Sequence, residues 1–355
     1  MEKLRVFEAF SGYGSQSIAL RNLGIDHEVV GISEIDVDAL ISYSAIRDST
    51  ELNMDITKTI EEMREELIAK NVGYDFKKQK SSIPTMKKEK LKKVYLSDML
   101  SKNFGDISLI NADLIPDHDL FTYSFPCQDI SAAGKQEGLV KGKTRSGLLY
   151  ECEKIIEAKR PKFLLMENVK NLIGKKHKKQ FDEWLSYLET LGYTNYWKVL
   201  NSKDYGIPQN RERVFVVSIL GKHEPFKFPQ GFELEKTLFD LLESNIDNKY
   251  LLSKKCIDKM KRFEPKTISN PNISPTLITE LAHSTGKNLS PKLCKIIGEY
   301  RRITPREAFR LMGLDDRDID KIQSTGISDT QLYKMAGNSI VVQVLEQIFK
   351  SLFLS

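Results

Sequence analysis

The sequence predicts an α/β fold with a nucleotide-type beginning, on three observations. Short apolar runs alternate with helical patterns through the first two-thirds of the chain, as a parallel sheet flanked by helices does. A glycine-bearing turn, Phe10-Ser11-Gly12-Tyr13-Gly14-Ser15, separates the first apolar run from the first helical one. An acid, Glu34, closes the second apolar run and completes a series of strand, turn, helix, strand and acid.

Taken in order, residues 4–10 read as a strand, 15–23 as a helix closed by Gly24, and 27–33 as a second strand. Residues 119–124, 162–167 and 213–220 continue the strands, with helices near 148–159 and 180–191. Two segments break the rhythm. Residues from about 57 to 103 are rich in Lys, Glu and Met and read as an inserted, mostly helical excursion. Residues from about 221 to 299 gather Pro, Asn, Ser and Thr and read as a small separate domain. The first body is therefore 1–220 with 300–355, and the second 221–299. In Thr304-Pro305-Arg306-Glu307 a capping threonine precedes proline at the first helical position and glutamate three residues after the cap. Residues 340–353 carry Val341, Val344, Leu345, Ile348 and Leu352 at near-helical spacing, and this last helix is expected to pack back on the first body.

The 355 residues are 29% charged and 40% apolar, an ordinary globular balance. No apolar run approaches a membrane span, and Met1-Glu2-Lys3 leads straight into a strand-like segment rather than a secretory leader. A cytoplasmic protein is expected. The four cysteines (Cys127, Cys152, Cys256, Cys294) are far apart, so neither a disulfide framework nor a metal site is expected, and cysteine chemistry would rest on one thiol. A net charge of +5 suits an anionic partner. Lysines cluster between 77 and 93 and again at 175–179, a pattern open to a solvated face, a loop or phosphate contact.

The chemistry-bearing residues sit where the predicted strands end. The glycine turn and Glu34 could hold an adenosine-containing cofactor, the carboxylate accepting from ribose hydroxyls; a dinucleotide enzyme would look similar. Ser124-Phe125-Pro126-Cys127-Gln128 puts a thiol at a strand end among polar residues, a place where a thiolate can be stabilised. Met166-Glu167-Asn168-Val169 brings a glutamate out of the core at the same sheet edge; half-buried, it could keep and donate a proton, or simply form a salt bridge. In Gln209-Asn210-Arg211-Glu212-Arg213, two arginines two apart point the same way if extended, toward one anionic or carbonyl-bearing ligand. Gly337-Asn338-Ser339 offers amides before the last helix.

In this order the motifs resemble the cytosine-C5 DNA methyltransferases of bacterial or phage restriction-modification type. The resemblance takes in nearly the whole chain outside the insertion and the small domain. It also includes Gly105-Asp106-Ile107 and the stretch from Thr304 to Gly313. It implies a Rossmann-like, S-adenosyl-L-methionine-dependent domain with a mixed, mostly parallel sheet, and a small target-recognition domain. It further implies methyl transfer from that cofactor to carbon 5 of a cytosine flipped out of a specific double-stranded DNA sequence. Cys127 would add to carbon 6, Glu167 would meet ring N3 and the exocyclic amine, Arg213 the carbonyl oxygen, and Arg211 would support the site. Phe10 would lie near the adenine, and the backbone of Ser11, Gly12, Tyr13, Gly14 and Ser15 would hold the methionine part. Glu34 with Ile35 would bind the ribose, and Asp106 with Ile107 the adenine, with Asp55 a rival for that role. Ser124, Pro126, Leu148, Asn338 and Ser339 would complete the pocket. Gln128, Ser131, Arg145, Thr276 and Thr304 would touch DNA, and residues 129–145, with Gly134, Gly138 and Gly142, would form a lid.

The partner would be DNA, with a cognate endonuclease related in function rather than by contact, and the protein a nucleoid-associated monomer. Ser15 stands where the family has glycine, a tolerable change. A transfer-RNA cytosine methyltransferase is the nearer alternative, though the Cys-Phe-Thr element of that branch is missing. A catalytically silent DNA-binding regulator is the farther one. A nicotinamide oxidoreductase finds support only in the glycine turn.

Overall fold

The computed structural model describes residues 3–48, 56–126, 145–255, 257–258, 272–279, 295–296 and 299–354. It divides into two compact units, one of Met1–Leu200, Arg213–Pro229 and Ile348–Ser355, the other of Asn201–Glu212 and Gln230–Gln347.

In the first unit the chain runs β1 (Leu4–Ala9), α1 (Ser15–Asn22), β2 (His27–Ser33), α2 (Val37–Asp48) and α3 (Ile60–Ala69). The two-residue strands β3 (Tyr74–Asp75) and β4 (Lys80–Ser81) and helix α4 (Lys88–Leu100) follow. Then come β5 (Leu120–Tyr123), α5 (Leu149–Lys159), β6 (Phe163–Val169), α6 (Lys178–Thr190) and β7 (Tyr193–Asn201). After the short β8 (Gln209–Asn210) of the second unit, β9 (Glu212–Leu220) returns to the sheet, whose order is β2-β1-β5-β6-β9-β7. The sheet is mixed and mostly parallel, as the sequence predicts. β1 pairs in parallel with β2 and β5, and β5 with β6, while β9 runs antiparallel to β6.

Burial explains the reading. Phe7, Ala9, Phe121, Tyr123, Leu164, Met166, Val214 and Val216 come from four neighbouring strands and share one core with Cys152, Ile155, Phe181 and Trp184. Phe121 stacks on Tyr123 at 5.1 Å between ring centroids. Enclosed strands of this kind appear in sequence as continuous apolar runs. The last helix, Val342–Phe353, ends in the first unit, where Phe353 meets Phe163 edge-on at 5.2 Å.

The excursion near residue 57 is a helical pair. α3 opens with a reciprocal cap between Thr59 and Glu62 and ends in left-handed Asn71, with φ 55°. The Val72 amide then donates to the Leu67 carbonyl and the Asn71 amide to that of Ile68. Fully buried Leu67 and Val72 complete this arrangement, which closes a helix when a residue tolerating positive φ follows its cap. Among the excursion's lysines, Lys90 pairs with Asp38 at 2.5 Å and Lys78 with Asp75 at 3.3 Å.

The second unit holds β10 (Ser274–Pro275), parallel to β8, and helices α7 (Pro305–Arg310), α8 (Asp316–Ser324) and α9 (Asp329–Asn338). Thr304 caps α7 as its sequence predicts, with Glu307 closing the reciprocal bond. Glu307 is fully buried, and both its oxygens take a nitrogen of Arg301, at 2.8 and 2.9 Å. Among the described residues no helix is long and apolar enough to cross a membrane.

Candidate active site

Strand direction assembles the site of the first unit. Registers Ala9↔Ser33, Ala9↔Tyr123 and Tyr123↔Met166 bring the C-terminal ends of four parallel strands to one edge. Strand order reverses between β1 and β5, and ligands in open sheets bind outside such a reversal. Because β9 is antiparallel, its first residues meet the end of β6, with Arg213 opposite Val169.

The turn after β1 departs sharply from strand geometry. Phe10, Gly12 and Gly14 all have positive φ, at 56°, 57° and 87°. For a bulky residue such as Phe10 this is strained, and strain of that kind gathers at ligand sites. Gly14 has no alternative: a Cβ there would lie 2.6 Å from the ring of Tyr43. Tyr43 is held in turn, its hydroxyl donating to the fully buried Glu8 at 2.8 Å. Burial pushes the Glu8 carboxyl above its ordinary range, against the pull of Arg47. Ser15 is already the first residue of α1, so no left-handed backbone is asked of it.

Glu34 closes the turn from the other side. Its Oε2 accepts from the Gly12 amide at 2.9 Å, and its Oε1 from the Ile35 and Asp36 amides at 2.8 Å each. Burial, then Asp36, raise its pKa, opposed by those amides. Asn103 ties the next segment to it. The Asn103 carboxamide accepts from the Glu34 and Gly105 amides and donates to the Glu34 carbonyl. The Ser33 hydroxyl donates to the Gly105 carbonyl at 2.7 Å. Asp106 therefore follows directly on a segment laced to Glu34. Its Oδ1 accepts from the amide and hydroxyl of Ser108, and its Oδ2 from the Asn71 side chain at 2.9 Å. Ile107 is buried beside it.

A carboxylate has about four acceptor positions. Each of these two has three visible donors, leaving Oε2 of Glu34 and Oδ2 of Asp106 able to accept one more. Two preset carboxylates beside a strained glycine turn and a helix N-terminus fit an adenosine-bearing ligand, with hydroxyls at one acid and an amine at the other.

At the other end of the edge, Glu167 and Arg213 meet across β6 and β9, Nε to Oε1 at 3.1 Å, both largely buried. The Asn168 side chain donates to the Phe125 carbonyl at 3.0 Å, fixing the half-buried Ser124 and Pro126 beside β6. Leu148, half-buried, caps α5 and packs on the core. Cys127, Gln128 and Ser131 lie outside the described residues, as do Asp55, the side chain of Arg145 and nearly all of the expected lid. Cys152 is the described cysteine; it is fully buried and burial pushes its thiol well up, the opposite of a nucleophile's setting.

The second unit carries its own cluster. Arg211 donates to three carbonyls, of Leu277 and Gly337 at 3.1 Å and of Ser339 at 2.7 Å. The sequence suggested one target for both arginines. Instead Arg211 ends on backbone in this unit, and Arg213 on Glu167 in the other. Gln209, which opens the arginine motif but carries no role in the sequence reading, is fully buried; it donates to the Leu311 carbonyl and accepts from the Leu277 amide. Asn338 is exposed at the end of α9. Thr276 donates to the Asn210 carbonyl, and the buried Thr304 to Glu243, so both hydroxyls expected at DNA are engaged within the protein. Among the described residues no group of three or more His, Cys, Asp or Glu could hold a metal ion.

A profile described as C-5 cytosine-specific DNA methylase matches residues 69–354. The chain is similar to the type II methyltransferase M2.ScrFI of Lactococcus lactis subsp. cremoris, 49% identical over 99% of each chain. It is 33% identical to the orphan methyltransferase M.SssI of Spiroplasma monobiae, over 98% of this chain and 96% of that one. Of solved structures, the Dnmt2 methyltransferase of S. pombe matches with a TM-score of 0.63 at 18% identity, covering 99% of this chain and 98% of its own. The Entamoeba histolytica methyltransferase EhMeth gives 0.63 at 17%, with the same coverage. At such identities the likeness is one of fold.

Proposed function

The chain belongs to the C-5 cytosine-specific DNA methylase family and is a DNA cytosine-5-methyltransferase, and from that premise we propose how its own residues carry the reaction. The substrate is a cytosine in a specific double-stranded sequence and the methyl donor is S-adenosyl-L-methionine. When bound, that cofactor supplies an electrophilic methyl group on a sulfonium. Glu34 and Asp106 hold its adenosine, and the turn at residues 10–15 holds the rest, with Ser124, Pro126 and Leu148 at the neighbouring strand end.

A stacked cytosine is out of reach of any thiol, so the base is flipped out at a cost of a few kcal/mol, offset by contacts to the everted ring. Glu167 and Arg213 suit that ring. Glu167 meets N3 and the exocyclic amine and offsets the charge that addition puts on the ring, while Arg213 donates to the carbonyl oxygen. The Cys127 thiolate then adds to C6, which makes C5 an enamine carbon able to take the methyl. Loss of the C5 proton to a base, a water or a side chain, and cleavage of the Sγ–C6 bond release 5-methylcytosine, the free thiolate and S-adenosyl-L-homocysteine. Arg211 acts as support, through the carbonyls it binds. The protein works as a cytoplasmic monomer, and any cognate endonuclease is its partner in function.

The observation that carries this reading is the meeting of Glu167 and Arg213 at the sheet edge that also bears Glu34 and the strand end leading to Cys127. The test is methylation of duplex DNA and of transfer RNA in parallel, with bisulfite sequencing of the products. Cys127→Ala is expected to abolish turnover while still binding DNA and cofactor. Substantial methylation by that variant overturns the covalent route, and modification of RNA alone overturns the DNA substrate.

A further inference from the structure

From the contact between Asn71 and Asp106 we infer that Asn71, supplied by the excursion after Thr57, is a positioning residue that sets the adenine specificity of the cofactor site. The inference rests on the reading of Asp106 as the acceptor for the adenine amine.

Ser108 saturates only one oxygen of Asp106, through its amide and its hydroxyl. The other, Oδ2, would be the oxygen facing an incoming amine. The carboxamide of Asn71 donates to that atom at 2.9 Å. One lone pair is thereby used, and the carboxylate plane is fixed so that the remaining one has a single direction. A purine with an amine at carbon 6 can donate there; one with a carbonyl meets acceptor against acceptor.

The tether is built from both ends. The Lys70 carbonyl, next to Asn71, accepts from the Asp106 amide at 2.9 Å. The Lys70 ammonium reaches the Asp98 carboxylate at 2.5 Å and the Asn103 carbonyl at 2.9 Å. Asp98 in turn accepts from Asn103, which holds Glu34. The excursion thus braces both acids expected to grip the cofactor.

Asn71 also ends α3, and a plain helix-ending role must be told apart. That role needs only a residue at ease with φ 55°, and glycine meets it better than asparagine. Asn71→Gly therefore keeps the helix end and deletes the carboxamide alone.

The experiment uses the full chain and isothermal titration with S-adenosyl-L-homocysteine and with its hypoxanthine counterpart, in which the exocyclic amine is a carbonyl. Wild type is expected to prefer the adenine form. Asn71→Gly should unfold within a few degrees of wild type yet lose about tenfold of that preference, the scale of one hydrogen bond to a charged group. Asn71→Asp, which faces Asp106 with a like charge, should weaken the adenine form further. If Asn71→Gly leaves the preference intact, whether both affinities hold or both fall together, the role is structural and the inference is wrong. If wild type, like Asp106→Ala, shows no preference, the role of Asp106 fails and the inference fails with it.

Discussion

Replacing Gly105 by alanine tests how tightly the proposed adenosine end of the site is built. Gly105 has φ 78°, and a Cβ there would lie 2.3 Å from the Lys70 carbonyl oxygen and 2.5 Å from the Lys70 Cβ. The left-handed backbone alone costs alanine about 1–2 kcal/mol. The overlap is with main chain rather than a flexible side-chain end, and relieving such crowding costs about 1–3 kcal/mol more. The carbonyl that must move is the acceptor for the Asp106 amide, and a lost buried hydrogen bond adds about 0.5–1.5 kcal/mol. The expected loss is about 3–6 kcal/mol, a large part of the ~5–15 kcal/mol of a typical domain. Urea unfolding followed by circular dichroism measures it, and the surviving folded fraction should bind S-adenosyl-L-homocysteine more weakly. A loss below about 1 kcal/mol, a small fraction of that sum, would refute the argument that this backbone contact is unyielding.

Three further outcomes follow from the same geometry. Glu34→Ala should weaken cofactor binding by about 1–3 kcal/mol, the cost of leaving hydrogen-bonding groups unmatched; an unchanged dissociation constant by titration rejects the ribose role. Glu8 has a folded pKa raised by burial, so its contribution to stability is full below its unfolded pKa and is lost as pH rises through the folded value. Glu8→Gln should therefore flatten the decline in unfolding free energy as pH rises above the ordinary carboxylate range, and an unaltered slope counts against a buried titrating carboxyl. Glu307→Gln strips the partner from a guanidinium only 3% exposed and should cost about 3–5 kcal/mol. Replacing Arg301 and Glu307 together by apolar residues of similar size should cost much less, and equal losses in thermal unfolding would count against an unpaired charge as the cause.

Much of the sheet is legible in sequence because its strands are enclosed, and enclosure leaves continuous apolar runs. The second strand, the turn and Glu34 are found where local pattern places them. Direction is not written in such a run, so the antiparallel course of β9 cannot be read from Val214 to Leu220. β7 escapes for the opposite reason: it is an edge strand, and Thr194, Trp197 and Lys198 face solvent. α2 is buried on nearly every side from Asp38 to Ile46, so it has no polar face to reveal a helical period. Candidate site residues divide in the same way. Glu34 and Glu167 are visible because strand ends announce them. Asn71, Asn103 and Gln209 act through partners 35, 69 and 102 positions away, and no local spacing encodes such bonds. Thr304 was legible as a helix cap, and the cap accounts for its burial.

Arg211 and Gln209 together moor one short stretch of chain, Leu277, by both its amide and its carbonyl. The same two side chains also bind the carbonyls of Leu311, Gly337 and Ser339, so that one rung is tied to the ends of two helices. A substitution at Arg211 or Gln209 would therefore be felt in several distant places at once.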